Sequence, residues 1–519
     1  MRSFLQRFGA FVLGALHGFD RVRFRGTIRW LAKPSGMMHF LWKLQVLLKD
    51  FPAFAKDTTA TLRTALEQAA HEQARPVEYL ASSSTSKEER AQHIAARDGI
   101  REGLVAVFTC VEPCLCYRVV GNRARQQLQL RLAPGKCLHY YHYYLDRDLG
   151  WLHTRQQTWF PFTSFVCLNG REWLGRQLDA AGLAYERRDN CFAWVEDLAR
   201  AQALLDAQLR SDWTGLLEGL LRRSNPLHGR LFAVPTPHYW SVEESEWASD
   251  VLFGAQQDLV RLMPAVLRHG LLVLGSVDVL RFLGHRIPAH GGVDGRFQGE
   301  VVTDFKRRPE GVRLKYQLKK NWLKLYDKQG TVLRLETVVN DVSDMKAYRA
   351  KENEPDGPKA WRRLRKGVAD LHRRVEISQQ ANERYATSLA HLAESTPLQA
   401  LSAPLCQAVQ WQGRRVRALN PLGAADAALL EAVSRGEFLL NGFRNRDVRR
   451  LVHGPAADAV SQRRQSAAVT RQLRLLRAHG LIHKVATTHR YQVSEAGQRT
   501  IAALLSARAA DINQLLAAA

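Results

Sequence analysis

The chain has 519 residues, 46% of them hydrophobic, so it can build several cored domains and is not a disordered polymer. Its 75 lysines and arginines outnumber 50 acidic residues, giving a net charge of +25 that points to a polyanionic partner. No apolar run approaches the ~18 residues of a membrane-spanning helix, so no membrane partner is expected. Seven cysteines without a signal-like segment point to a reducing, cytoplasmic setting.

Residues 8–16 are apolar and are expected to form a packed helix. Arg21-Val-Arg-Phe-Arg25 alternates, which predicts a strand with Val22 and Phe24 inward and the arginines outward. Residues 60–73 have helical period, and the serine run 82–86 before Lys87-Glu-Glu marks a helix start. Residues 103–110 predict a buried strand. Cys110, Cys114, Cys116, Cys137, His139 and His142 invite a zinc reading, but their spacing matches no strong zinc pattern. Cys114 and Cys116 read instead as small apolar fillers of a strand.

Strands are expected over 138–145 and 151–162, with a turn at 146–150. Their aromatics, among them Tyr140, Tyr141, Tyr143, Tyr144, Trp159 and Phe160, suit either a core or the stacking of single-stranded bases. A strand over 163–168 ends at Asn169-Gly170, and a helix follows over 171–181. Helices are expected over 198–221 and 243–283. The glycine-rich segment 285–300 carries no Walker pattern and reads as a loop.

Residues 301–339 predict a run of strands with a hairpin turn at Asp327 to Gly330. Alternation puts Leu323, Leu325, Leu333 and Leu335 on one face and Lys324, Tyr326, Arg334 and Glu336 on the other. The preceding strand adds Arg313, Lys315, Gln317 and Lys319. Such a face suits a phosphate backbone, with Glu336 able to hold a divalent metal; an ordinary Arg–Glu cross-strand pair is the alternative. Residues 360–393 read as a long basic helix carrying Arg362, Arg363, Arg365, Arg373 and Arg374.

Near the carboxyl end, helices are expected over 426–433 and 444–451, the second with Asn441 as a cap. Val469, Leu473 and Leu476 then make an apolar stripe beside Arg471, Arg474 and Arg477. Gly480 ends that helix, Leu481 and Ile482 start a strand, 486–488 form a hairpin tip, and Tyr491 and Val493 alternate on the return. The stretch "LRLLRAHGLIHKV…HRYQVSEAG" resembles the winged helix-turn-helix domains of MarR-like bacterial regulators. That resemblance implies duplex DNA contacts from Arg463, Arg464, Ser466, Thr470, Arg471 and Arg474 on the helix and from Lys484 and Arg490 on the wing.

The segment "LKLYDKQGTVLRLE" is similar to the "YDK…LRxE" strand pair of rolling-circle replication initiators from plasmids and filamentous phages, and Phe19 to Phe24 is similar to their first strand. The resemblance implies a nicking domain with Mg or Mn held by Glu336 and completed by His142 or His153. It makes Tyr326 or Tyr348 the nucleophile, with Lys328 alongside. The chain departs from that pattern in lacking a His-hydrophobic-His pair.

The expected architecture is a mixed α/β or α+β body with a largely antiparallel sheet, many helices and a C-terminal winged helix-turn-helix. Its parts are 1–122, an α/β region; 123–355, an α+β body; 356–415, a basic helix and linker; and 416–519, the winged helix. The expected function is DNA binding with strand nicking in a mobile or replicating element, using Lys315, Lys319, Lys324, Arg334, Arg362 and Arg363 as further contacts. The alternatives are a non-enzymatic regulator and an RNA-binding component of a ribonucleoprotein.

Overall fold

The computed structural model describes residues 1–81, 85–284, 301–351, 354, 356–390, 398–435, 438, 442–485 and 488–509. The chain divides into two compact units, one of residues 9–259 and 305–382, the other of 1–8, 260–304 and 383–519.

The first unit is organised on one eleven-stranded sheet. Its strands are β1 (Val12–Ile28), β2 (Val77–Tyr79), β3 (Gly103–Asn122), β4 (Gln127–Asp146), β5 (Gly150–Gln157) and β6 (Ser164–Asn169). After a separate hairpin of β7 (Tyr185–Arg188) and β8 (Cys191–Val195), the sheet resumes with β9 (His238–Phe253). It ends with β10 (Val301–Arg308), β11 (Gly311–Leu318), β12 (Asn321–Lys328) and β13 (Val332–Val339). The spatial order is β10-β11-β12-β13-β9-β1-β6-β5-β4-β3-β2. From β11 to β3 neighbours pair antiparallel, and β2 joins β3 in parallel. The result is a mixed α/β body with a large, mostly antiparallel sheet and many helices.

Alternation gives the sheet two unlike faces. One is apolar: Phe19, Val22, Phe24, Tyr140, Leu152, Val166, Val242 and Trp247 pack with residues of helices Pro34–Lys43, Phe51–Glu72 and Trp213–Ser224. Burial of each large side chain there contributes roughly 2–3 kcal/mol. The other face is covered in two places. Helices Gly170–Ala181 and Leu198–Gln208 with the β7–β8 hairpin lie over Leu16, Leu252 and Val332, and helix Lys87–Asp98 lies over Phe108, Tyr141 and Tyr143. Gly170 lets its helix start against β1, since a methyl group there would fall 2.0 Å from the Phe19 carbonyl. Asn169 caps that helix and Gly182, at φ 64°, ends it.

Several expectations change. Residues 12–16 belong to β1, not to a helix. The boundary expected at 122 falls at the β3–β4 hairpin and would cut one sheet in two. Residues 243–253 are strand rather than helix, because Trp247, Ser249, Val251 and Phe253 alternate and fill the slot between β1 and β13. Ala360–Arg363 is a short strand paired with Lys346–Arg349, and the helix begins only at Leu371. Asp370 holds the intervening turn by accepting from the Arg365 amide. Ser86 caps its helix as expected. The segment 285–300 and Asn441 lie outside the described residues.

In the second unit, helices Ala424–Val433, Asn445–His453 and Ala459–Ala478 precede a two-stranded pairing of Ile482–Lys484 with Tyr491–Val493 and helix Glu495–Ala509. Leu429, Leu430, Val448, Val469, Leu473, Leu476, Ile482 and Ile501 share one core. Asp458 caps the long helix and Gly480 follows its end at φ 72°. No helix among the described residues is long and apolar enough to cross a membrane.

Candidate functional site

The polar face of the first unit carries buried charges where β12, β13, β9 and β1 run side by side. Lys324 opposes Glu336, Tyr326 opposes Arg334, and Arg334 opposes Asp250. Arg21 opposes Glu246, and the register shift between Phe19 and Arg21 is a bulge that frees Asp20 from the regular alternation. Asp20, Glu246 and Glu336, distant in sequence, each place one carboxylate oxygen within 4.8 Å of the others.

Cations hold this group together. The Lys324 ammonium donates to Glu336 at 2.7 Å and lies 3.6 Å from Glu246. Burial works to lower that ammonium's pKa, but Glu336 and Glu246 outweigh it, so Lys324 stays charged. Glu246 is pushed up to about 7, by burial first and by Glu336 second, with Lys324 opposing. Tyr326 is raised to about 12 by burial and then by Glu336, so its phenol keeps its proton near neutrality. Arg334 grips Asp250 through two bonds of 2.6 and 2.9 Å and donates to Asp20 at 2.8 Å and to the Asn190 carbonyl at 2.6 Å. Arg171 adds a second cation 3.0 Å from Asp250. Burial alone would raise Asp250, yet Arg171 and Arg334 hold it below the usual carboxylate range.

Beside the buried charges, Arg21, Arg23 and Arg25 keep 53%, 39% and 33% of their side chains exposed. Their glutamates, Glu246, Glu244 and Glu243, stand 3.7–4.0 Å away in long, partly exposed ion pairs of the kind worth about 1 kcal/mol or less. Half-buried Lys315 lies over the Trp322 ring at 4.4 Å. A row of available guanidinium groups thus borders a floor of carboxylates. Three oxygen donors in that floor match what Mg2+ or Mn2+ takes.

The residues expected at the site fall into distinct places. Glu336, Lys324 and Tyr326 come together as expected. Arg334 does not serve a phosphate: it is fully buried beneath the β7–β8 hairpin, and its donors are spent on Asp250, Asp20 and Asn190. Lys324 is likewise buried and committed to carboxylates. Lys328 is buried, with its ammonium 5.1 Å from the Tyr326 ring centre. Lys319 pairs with Asp344 at 2.6 Å.

His142 cannot join Glu336, because it opposes Val107 and Thr154 and shares the apolar side with Tyr140 and Tyr144; burial lowers it to about 4. His153 is on the polar face but four strands from β13, roughly 19 Å at the usual strand spacing. It stacks on Tyr143 at 4.9 Å, and burial, then Arg21, lowers it to about 3. Tyr348 belongs to the separate Lys346–Arg349 strand, exposed and against Trp361. Arg362 and Arg363 lie on the partner strand, not on a helix.

In the second unit Arg463, Arg464, Thr470, Arg471 and Arg474 are exposed on the long helix, and Lys484 is exposed on the first strand after it. Ser466 is bonded to Asn445. Arg490 is turned inward and donates to the Gly442 carbonyl at 3.0 Å, and Arg477 lies over Trp411 at 5.0 Å, so neither faces solvent fully.

The sequence reading missed Asp20, Glu246, Asp250 and Arg171. The detectable signal was the period of two through residues 247–253, obscured by Ala248 within it and by the helix-forming Glu243, Glu244 and Glu246 just before it. Another carboxylate, Glu218, is bound to His228 at 2.7 Å and to Trp240 at 2.9 Å.

No family model and no curated protein matches the chain. Among solved structures, the di-domain ARO/CYC BexL from the BE-7585A biosynthetic pathway is similar at 13% identity and a TM-score of 0.16. The match covers 59% of this chain and 94% of that one.

Proposed function

We propose that the first unit cuts or transfers a nucleic-acid strand at the Asp20–Glu246–Glu336 cluster. The observation that carries this reading is the convergence of three carboxylates from three strands beside the open arginine row. Gathering like charges out of water works against folding, and such arrangements concentrate at sites of chemistry. Arg21, Arg23 and Arg25 bind and orient the phosphate backbone. Lys324 holds Glu336 and Glu246 in place beneath that backbone. Glu246, poised near neutrality, holds or accepts a proton. Mg2+ or Mn2+ at the three carboxylates would supply Lewis-acid polarisation of the phosphodiester. Tyr326, a protonated phenol next to Lys324, is the nucleophile to test.

The test is incubation of the full chain with labelled single- and double-stranded DNA and RNA and Mn2+. A metal-dependent cut lost in Glu336→Ala supports the reading, and a covalent adduct lost in Tyr326→Phe assigns the nucleophile. Full cutting by Glu336→Ala defeats it.

A second observation favours duplex DNA binding by the other unit. Its three helices and strand pair follow the order of a winged helix-turn-helix, and Arg463, Arg464, Arg471 and Arg474 lie on one exposed side of the long helix. We read this unit as the element that locates a DNA site, with DNA the favoured partner and RNA the alternative.

A further inference from the structure

A different part of the first unit carries a metal-binding arrangement. Cys110, Glu112, Cys114 and Cys116 alternate on β3, so their side chains share one face of the sheet with Cys137 and His139 on β4. Cys137 opposes Glu112, and Cys114 lies diagonally next to it, with the two sulfurs 3.5 Å apart. One nitrogen of His139 and these two sulfurs all lie within 4.8 Å of one another. Around a tetrahedral zinc, sulfurs at ~2.3 Å from the ion stand about 3.8 Å apart. The observed separation needs only a small adjustment to meet that geometry.

Two further observations point to a ligand. His139 is fully buried, its Nδ1 lies 3.1 Å from the Cys137 carbonyl, and its Nε2 has no hydrogen-bond partner. Nδ1 is also the nitrogen beside the thiols, 4.0 Å from the Cys137 sulfur, so it can turn its lone pair to a metal while Nε2 carries the proton. The residue opposite Cys114 is Gly135, where a methyl group would fall 2.4 Å from the Cys116 sulfur, so space beside the thiols is kept clear.

We propose that Cys114, Cys137 and His139 bind a zinc ion that ties the β3–β4 hairpin, with Cys116 the adjacent thiol. Coordination forms two metal–sulfur bonds and one metal–nitrogen bond. The Cys114 and Cys137 thiols give their protons to solvent, and no redox change occurs. The pattern hides in the sequence because its ligands come from opposite strands of a long hairpin.

The full chain, purified under reducing conditions and dialysed against a weak chelator, should retain about one zinc per chain. Cobalt(II) in place of zinc should give thiolate-to-cobalt charge-transfer absorption. Cys114→Ser and Cys137→Ser should abolish that band, and His139→Asn should weaken metal affinity by roughly tenfold or more. Cys406→Ser, at an exposed cysteine, should leave it intact. The wild-type measurement stands even where a variant misfolds. Zinc content near zero without a cobalt–thiolate band, or a Cys114–Cys137 disulfide in the reduced-purified protein, overturns the proposal.

Discussion

Lys324 and Glu336 face each other directly across the β12–β13 ladder, and the ammonium that bonds Glu336 also stands 3.6 Å from Glu246. One lysine therefore stands against two buried carboxylates. Lys324→Met should lower stability by about 3 kcal/mol, because the carboxylates lose their cation while remaining buried. Mn2+ should then restore more of the melting temperature in the variant than it adds to the parent protein. Thermal melts with and without millimolar Mn2+ decide this. An equal response in both proteins would mean the carboxylates do not accept a divalent ion.

Glu246 makes stability depend on pH near neutrality. Its folded pKa is raised from the ordinary 4.5 to about 7. Below about 4.5 the group is protonated in both states and contributes no pH dependence. Between about 4.5 and 7 the folded chain keeps a proton that the unfolded chain has lost, so stability falls as pH rises through that window. Glu246→Gln should flatten this slope and be the more stable protein at pH ~8. Urea unfolding of both proteins across the window tests it; parallel curves would contradict the assignment.

The strand run 301–339 was legible because its alternation is strict and its turn is marked by Asp327 and Gly330, whose amide donates to the Asp327 carboxylate at 2.7 Å. The facing of Lys324 and Tyr326 towards Glu336 and Arg334 followed from that alternation alone. What covers the face did not. Burial of Arg334 depends on a hairpin more than a hundred residues earlier, which no local pattern reports. Glu246 was misplaced for a different reason. A central strand with Glu246, Ala248 and Asp250 on its polar side has weak strand propensity, and packing between β1 and β13 overrides it. In the second unit the helices near 426–433 and 444–451 and the stop at Gly480 were legible because these helices carry their own apolar residues.

Arg334 serves the fold. Its planar fork satisfies Asp250 with two bonds while reaching Asp20 and the Asn190 carbonyl, and one ammonium cannot do all three. Arg334→Lys should therefore destabilise markedly, and Arg334→Ala should cost about 3–5 kcal/mol by stranding Asp250 with only Arg171. Denaturant midpoints measure both. A stable Arg334→Ala protein with weakened nucleic-acid binding would instead restore this arginine to the binding surface.

The second unit separates contact arginines from structural ones. Arg471 and Arg474 are exposed on the Ala459–Ala478 helix, whereas Arg490 is buried and bonded to the Gly442 carbonyl. On the proposed duplex-binding reading, Arg471→Ala and Arg474→Ala should each weaken binding and reduce the slope of log affinity against log salt by about 1, leaving the melting temperature unchanged. Arg490→Ala should do the reverse: lower the melting temperature, because Gly442 loses its donor, and leave the salt slope of the folded fraction as it was. Fluorescence anisotropy of a labelled duplex over a salt series reads the first effect and thermal melts the second. If the slope is untouched by Arg471→Ala and Arg474→Ala together, the phosphates are held elsewhere, and Arg21, Arg23 and Arg25 of the first unit become the cations to substitute next.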